Sequence, residues 1–313
     1  MPSVNNSLPP NTKVDEYIIR STLGGGGFSV VYLASECHSD RPVVIKEYMP
    51  TKLARRHADQ SISAVSSEAG RRLQSGRALF FQEASILATL KHPNIVEVLN
   101  FFRANETVYM VMAYEDGENL QHYIKKRRGK LSERFLLTVF PALINALKLI
   151  HSHGYLHLDV KPGNIHLRRG GSPLLLDFGA VHRRMESRQR MPGQVCTTAF
   201  SPTEQYDHTG YVGPWTDLYA LGATMRACVD GRPPPDARAR QVKDELRPAA
   251  VAFRRQYSQE LLEALDWALE VDPLLRPQSA DELLQALPPL EPLPDENKGT
   301  FFNRFTGTGK PRD

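Results

Sequence analysis

The residues best placed to do chemistry lie in two neighbouring segments, HLDVKPGNIHL from His157 to Leu167 and LLLDFGA from Leu174 to Ala180. Asp159, Lys161 and Asn164 sit in a short loop ahead of a strand, and Asp177 ends a second apolar strand. Gly170 and Gly171 supply the turn between the two strands. Strands joined so closely lie side by side, which brings Asn164 and Asp177 together. Carboxamide and carboxylate oxygens beside phosphates form a Mg²⁺ site, because Mg²⁺ takes a few oxygen ligands plus substrate phosphates. Asp159 is then placed to accept a proton from an attacking hydroxyl.

A second group of residues lies upstream. LGGGGFSVVY, from Leu23 to Tyr32, puts glycines between two strand-like runs. Without Cβ atoms the backbone there turns freely and approaches a ligand closely, and its N–H groups meet phosphate oxygens. Lys46 closes the apolar run PVVIKEY. Beside a glycine hairpin its ammonium is positioned to reach a phosphate as a point charge. Such a lysine needs a carboxylate to hold it. Glu83 lies among Leu79, Ile86 and Leu87 on an apolar-striped helix, where an unpaired charge is costly.

The elements that must position these groups follow from the patterning. The chain has 313 residues, 41% hydrophobic and 24% charged, enough to bury sizeable cores and unlike a disordered or collagen-like composition. Residues 1–14 are Asn-, Ser- and Pro-rich and read as a mobile arm. Strands are expected over Tyr17–Leu23, Phe28–Ala34, Pro42–Tyr48, Ile95–Phe102 and Thr107–Ala113. A polar, basic stretch from Met49 to Gly76 precedes a helix over Arg77–Leu90, with Ser75 as its N-cap. Leu136, Phe140, Leu143, Leu147 and Ile150 recur at helical spacing in a buried helix that Pro141 kinks or starts and Gly154 stops. Strands first and helices second predict two lobes of different class. The organisation is therefore an N-lobe over 15–113 with an insertion at about 49–76, a C-lobe over 114–287, and a mobile tail over 288–313.

Several function classes are set aside on composition. The net charge of +4 is too mild to argue for nucleic-acid binding. The run KKRRGK, Lys125 to Lys130, has no interleaved aromatics and reads as a solvated loop. Cys37, Cys196 and Cys228 are too far apart for a disulfide framework or a zinc-type pair. His151, His153 and His157 beside Asp159 mimic a metal-hydrolase cluster, but two of them fall at a helix end, where they suit the dipole. The N-terminus lacks a secretory pattern, and the most apolar stretch, 135–150, falls short of a bilayer span. A cytoplasmic protein without a membrane segment is expected.

Taken together, these motifs resemble the eukaryotic-like (Hanks-type) serine/threonine protein kinases of bacteria, from about Tyr17 to Leu287. The resemblance implies an α+β, two-lobed kinase fold with a small, mostly antiparallel β N-lobe and a mostly α-helical C-lobe. It implies nucleotide contacts from Leu23, Gly24, Gly25, Gly26, Gly27, Val31 and Lys46, with adenine meeting a hinge at Met112, Ala113, Tyr114 and Glu115. Asp159 would be the base and Lys161 would lie near the transferred group. Thr197 would contact both, Glu83 would hold Lys46, and Asn164 and Asp177 would hold the metal. The cofactors implied are ATP and Mg²⁺, with Mn²⁺ as an alternative, and the partners are proteins with Ser or Thr acceptors. Glu204 and Arg276 resemble a buried family pair, and Asp217 and Gly222 match the following helix motif. Ser29 replaces the third glycine of the family's loop. Leu158 replaces the arginine that usually holds a phosphorylated activation loop, which implies activity independent of such phosphorylation. The stretch from Lys46 to Glu83 is longer than the usual family connection, so the basic insertion 49–76 reads either as a solvated loop or as a regulatory docking element. The rival reading is a pseudokinase scaffold on the same fold.

Overall fold

In the computed structural model, residues 6–177, 196–207 and 210–291 are described, with the backbone of 182–183. β-Branched and aromatic runs form a six-stranded antiparallel sheet. Its strands are β1 (Lys13–Val14), β2 (Tyr17–Gly25), β3 (Ser29–Glu36), β4 (Pro42–Tyr48), β7 (Val98–Ala104) and β8 (Thr107–Ala113), in the order β1-β2-β3-β4-β8-β7. Between β4 and β7 come a small hairpin, β5 (Ala54–Arg56) and β6 (Ile62–Ala64), and the helix α1 (Ser67–Thr89). Val30, Tyr32, Val43, Ile45, Tyr109 and Val111 are buried in this lobe.

The second lobe is mostly helical. β9 (Gly117–Asn119) leads into α2 (Leu120–Arg127) and α3 (Glu133–Ser152). There follow β10 (Tyr155–Leu156), β11 (Ile165–Arg168), β12 (Pro173–Leu175) and β13 (His182–Arg183). The helices α4 (Pro214–Asp230), α5 (Ala237–Val242), α6 (Ala249–Ala252), α7 (Gln259–Ala268) and α8 (Ala280–Ala286) complete it. β12, β11 and β9 form a small antiparallel sheet. The lobes are tied where Leu175 donates to Asn94 O at 2.8 Å and Val96 donates to Leu175 O at 3.1 Å.

Four expectations are corrected. The first concerns the arm: from Asn6 onward the chain is packed, with Leu8 buried and its N–H on the Tyr32 hydroxyl at 3.0 Å. A Pro-rich composition hid one apolar anchor. Second, α1 starts at Ser67 with Ser66 as N-cap, so the insertion is a hairpin and nearly three further helical turns. The solvent-facing Arg71, Arg72, Gln74 and Ser75 masked the buried stripe of Ala69, Leu73 and Phe80. Gly76 interrupts that pattern for a packing reason: a Cβ there would stand 1.8 Å from the Tyr48 hydroxyl. Third, Lys125–Arg127 form the last turn of α2, where cations suit the helix dipole, and Arg128 caps it in the left-handed conformation. Fourth, α3 runs through Pro141 as a helix of 20 residues, long and apolar enough by composition to cross a membrane. Its Leu136, Phe140, Leu143, Leu147 and Ile150 are instead buried against α4 and α8.

Candidate active site

The loop from His157 to Asn164 is shaped by its backbone bonds. Leu158 has a left-handed φ of 60°, which is strained for a γ-branched residue. The buried Asp217 carboxylate at the start of α4 offsets this strain by accepting from His157 N at 2.9 Å and Leu158 N at 2.7 Å. His151 Nε2 lies 2.8 Å from the same carboxylate. His157 Nδ1 accepts from Asp159 N at 3.2 Å, which leaves Nε2 as the protonated nitrogen facing Leu176 O at 3.2 Å. Burial holds the His157 pKa below the usual histidine value, so the ring is a neutral strut. No cluster of three His, Cys, Asp or Glu suited to a metal occurs among the described residues.

Asp159 is the centre of a compact polar cluster. Lys161 Nζ lies 2.9 and 2.6 Å from its two carboxylate oxygens, and Thr197 Oγ1 donates to Oδ1 at 2.8 Å. Lys161 also donates to Thr197 Oγ1 at 3.0 Å. Asn164 Nδ2 donates to the Asp159 carbonyl and carboxylate, both at 2.8 Å. That amide orientation leaves the carboxamide oxygen of Asn164 facing away from Asp159. Ile165 pairs with Leu175 across β11 and β12, and Leu176 N donates to Asn164 O at 2.8 Å. This register sets Asn164 beside the end of β12. Asp177 does not end that strand, as the apolar run suggested, but stands two residues beyond it with a left-handed φ of 53°. Phe178 and Gly179 lie outside the described residues.

Across the cleft, Lys46 on β4 pairs with Asp177 and stands 3.5 Å from Glu83 on α1. Burial alone would lower the Lys46 pKa, but the charges of Asp177 and Glu83 outweigh it and raise the pKa above the ordinary lysine value. Burial works against the Asp177 charge too, and Lys46 more than compensates, holding its pKa below the usual aspartate value. Glu83 takes the weaker share of Lys46, and Oε1 has no hydrogen bond. Its pKa is pushed up from an ordinary 4.5 to about 7, by burial first, with Lys46 opposing and Asp177 adding to the rise.

This shift has a testable sign. Folded Glu83 keeps its proton where the unfolded chain has released it, so its stabilising contribution is present below about pH 4.5 and fades as pH rises through about 7. The Tm of Glu83→Gln relative to wild type should therefore climb between about pH 5 and about pH 8. A difference that stays flat over that range would mean Glu83 is charged throughout.

The glycine-rich turn joins β2 to β3, with Gly24 opposite Val31 and Gly26 N donating to Ser29 O at 2.9 Å. A Cβ on Gly24, Gly26 or Gly27 would meet nothing within 4 Å. Neither packing nor a left-handed φ requires glycine there, so the bare backbone borders open space. Leu23 is exposed at the turn's entrance. Met112 and Ala113 end β8, and Tyr114 and Glu115 continue into β9, with Glu115 held by Arg168 at 3.3 Å.

The sequence matches the protein kinase domain family over residues 17–287. The chain belongs to the protein kinase family. It is 30% identical over 287 residues to the serine/threonine-protein kinase PknA of Nostoc sp., covering 87% of this chain and 47% of that protein. It is 30% identical over 285 residues to serine/threonine-protein kinase D of Synechocystis sp., covering 88% of this chain and 52% of that protein. The chain thus spans about half the length of the curated relatives it matches. A solved structure of PpkA-294 in its apo form superposes with a TM-score of 0.80 at 37% identity, covering 91% of this chain and 100% of that one. The resemblance to bacterial Hanks-type kinases and the two-lobed α+β class agree with these relatives.

Two features of this member of the protein kinase family were not read from the sequence. One is the clamp on the strained Leu158 backbone by Asp217, a residue singled out only as part of a family helix motif, because the contact joins residues far apart in the chain. The other is the burial of Glu47, which has 0% exposure. The period of two in PVVIKEY places Glu47 on the face of the buried Val43 and Ile45, and that parity was the available signal.

Proposed function

We propose that this chain is an ATP- and Mg²⁺-dependent kinase that transfers the γ-phosphoryl group to Ser or Thr hydroxyls of protein substrates. The observation that carries the reading is the Asp159 carboxylate held at once by Lys161, Thr197 and Asn164. Asp159 orients the acceptor hydroxyl and takes its proton on a carboxylate oxygen. Lys161 and Thr197 fix that carboxylate, and the Lys161 charge offsets the negative charge gathering at the transferred group. Lys46, steadied by Glu83, holds phosphate oxygens beneath the bare backbone of residues 24–27. Leu23 and Val31 border the nucleotide, and the stretch from Met112 to Glu115 receives the adenine. Asn164 and Asp177 are a fitting donor pair for a hard cation that keeps phosphate and water as its other ligands. When bound, the Mg²⁺ supplies charge neutralisation of the phosphates. Ser/Thr rather than Tyr specificity rests on Lys161 and Thr197.

Activity without activation-loop phosphorylation belongs to the same proposal. Leu158 packs with Leu156 and Val212 in a small apolar cluster, and Gln205 Nε2 donates to Leu158 O at 2.6 Å. These contacts join the loop of Asp159 to the segment after Thr197 with no phosphate. Exposed Arg55, Arg71 and Arg72 on the hairpin and the first turns of α1 form the surface proposed for an acidic regulatory partner.

Purified protein given labelled ATP, Mg²⁺ and a generic basic protein is expected to transfer label. Ser187, outside the described residues, is the loop residue to replace: Ser187→Ala should retain transfer within about threefold, because no arginine at position 158 waits for its phosphate. Binding of nucleotide without any transfer would favour the scaffold reading. Loss in Ser187→Ala restored by Ser187→Glu would overturn independence from phosphorylation.

A further inference from the structure

We propose that Glu47 and Arg56 are positioning residues, a buried brace that anchors the β5–β6 hairpin so that its root fixes the tip of the glycine-rich turn. The proposal rests on the reading of that turn as the phosphate-binding edge of a nucleotide site.

The Glu47 carboxylate lies inside the lobe, one residue after Lys46. Its Oε2 accepts from the Tyr32 hydroxyl at 2.7 Å and from Arg56 Nη2 at 2.5 Å, and its Oε1 accepts from the Tyr109 hydroxyl at 2.5 Å. The Arg56 side chain is 4% exposed. Arg56 donates further to Asn6 O at 3.1 and 3.0 Å and to Gln60 O at 3.0 Å. A buried carboxylate is tolerated only when its lone pairs are satisfied in this way. One carboxylate therefore fastens β3, β4, β8, the hairpin and the N-terminal segment together. None of these contacts belongs to the machinery around Asp159.

The same segment grips the glycine-rich turn. Met49 N donates to Phe28 O at 2.9 Å and Thr51 N donates to Gly27 O at 3.1 Å. Beyond them, Leu53 N and Ala54 N fold back onto Pro50 O at 2.8 and 2.9 Å, leading directly into β5 and Arg56. Across the ladder, Glu47 pairs with Val30, the strand by which the turn returns. The turn tip is thus held from its own strand and from the insertion root, and both holds converge on one buried ion pair. A turn ordered before nucleotide arrives need not be ordered by nucleotide, which raises affinity for the phosphates.

The test uses the full chain with Arg56→Met, Glu47→Gln and the double variant. The double variant leaves no unpaired buried charge, so it keeps the fold if a single variant loses it. A fluorescent ATP analogue is titrated with Mg²⁺, and KM for ATP, kcat and Tm are measured on the same samples. The expected result is a rise of about tenfold in Kd and in KM for ATP, with kcat within about threefold and partial recovery in Arg56→Lys. A fall in Tm with Kd and KM unchanged would reduce Glu47 and Arg56 to a structural role and overturn the brace, leaving the kinase reading intact. A rise in Kd in a wild-type background that transfers no phosphoryl group would sustain the brace and overturn the kinase reading alone.

Discussion

Asp159→Asn should lower kcat by about two to four orders of magnitude, the size expected when a positioned base is lost, while nucleotide Kd changes little. The substitution keeps the shape and one acceptor oxygen, while the amide nitrogen at the Oδ2 position can no longer accept from Lys161 and Asn164. An amide oxygen at Oδ1 still accepts from Thr197, which donates there at 2.8 Å, so the loop keeps its form. What is lost is the proton acceptor and the counter-charge that holds Lys161 at 2.6 Å. In the proposed site the affinity for nucleotide rests on Lys46, the glycine-rich turn and residues 112–115, none of which hydrogen-bonds to Asp159. A split between kcat and Kd is therefore the signature of the role, and a matching loss in both would point to collapse of the site. Because Lys161, Thr197 and Asn164 act through the same carboxylate, their effects should not add. Thr197→Ala in the Asp159→Asn background should cost little beyond Asp159→Asn alone. Transfer persisting in Asp159→Asn would assign the base elsewhere.

What was legible in the sequence is local. His157 to Asp177 is one hairpin with its approach loop, so strand parity and a Gly-Gly turn sufficed to set Asn164 beside the strand that leads to Asp177. Of the expected N-lobe strands, Pro42–Tyr48 and Thr107–Ala113 fall where the pattern put them, while the expected Tyr17–Leu23, Phe28–Ala34 and Ile95–Phe102 are observed as Tyr17–Gly25, Ser29–Glu36 and Val98–Ala104. Thr197 stands in contact with Asp159 across a long gap in the chain, and only family resemblance pointed to it. The first turns of α1 were illegible because their polar face outnumbers the buried stripe. The reason for Gly76 sits on another strand, in Tyr48. Glu47 fell between these cases. Its inward parity was readable, whereas its partner Arg56 came from a hairpin that the basic composition of residues 49–76 disguised as loop.

The same logic of satisfied buried charge gives the largest stability effect. Arg276 has no side-chain exposure in its ion pair with Glu204, whose oxygens lie 2.7 and 3.2 Å from its guanidinium. Its remaining donors reach Glu270 O at 2.7 Å and Val271 O at 2.8 Å, and its plane lies 4.7 Å from the centre of the Tyr219 ring. Thr216 donates to the same Glu204 oxygen at 3.0 Å. Arg276 thus joins the segment after Thr197 to α4 and to the turn following α7. Arg276→Met leaves the Glu204 carboxylate buried with one hydroxyl partner, and breaking a buried pair from one side costs about 3–5 kcal/mol. At about 2–4 °C per kcal/mol for a domain of this class, the Tm should fall by about 6–20 °C. Glu204→Gln is expected to cost less, because an amide oxygen still accepts from Thr216 and Arg276, although the arginine then lacks its counter-charge. The double variant Arg276→Met with Glu204→Gln separates the two contributions. If the penalty arises from a stranded charge, the double variant should be more stable than Arg276→Met alone. A double variant less stable than either single would place the cost in lost packing against Tyr219 and the carbonyls of residues 270 and 271.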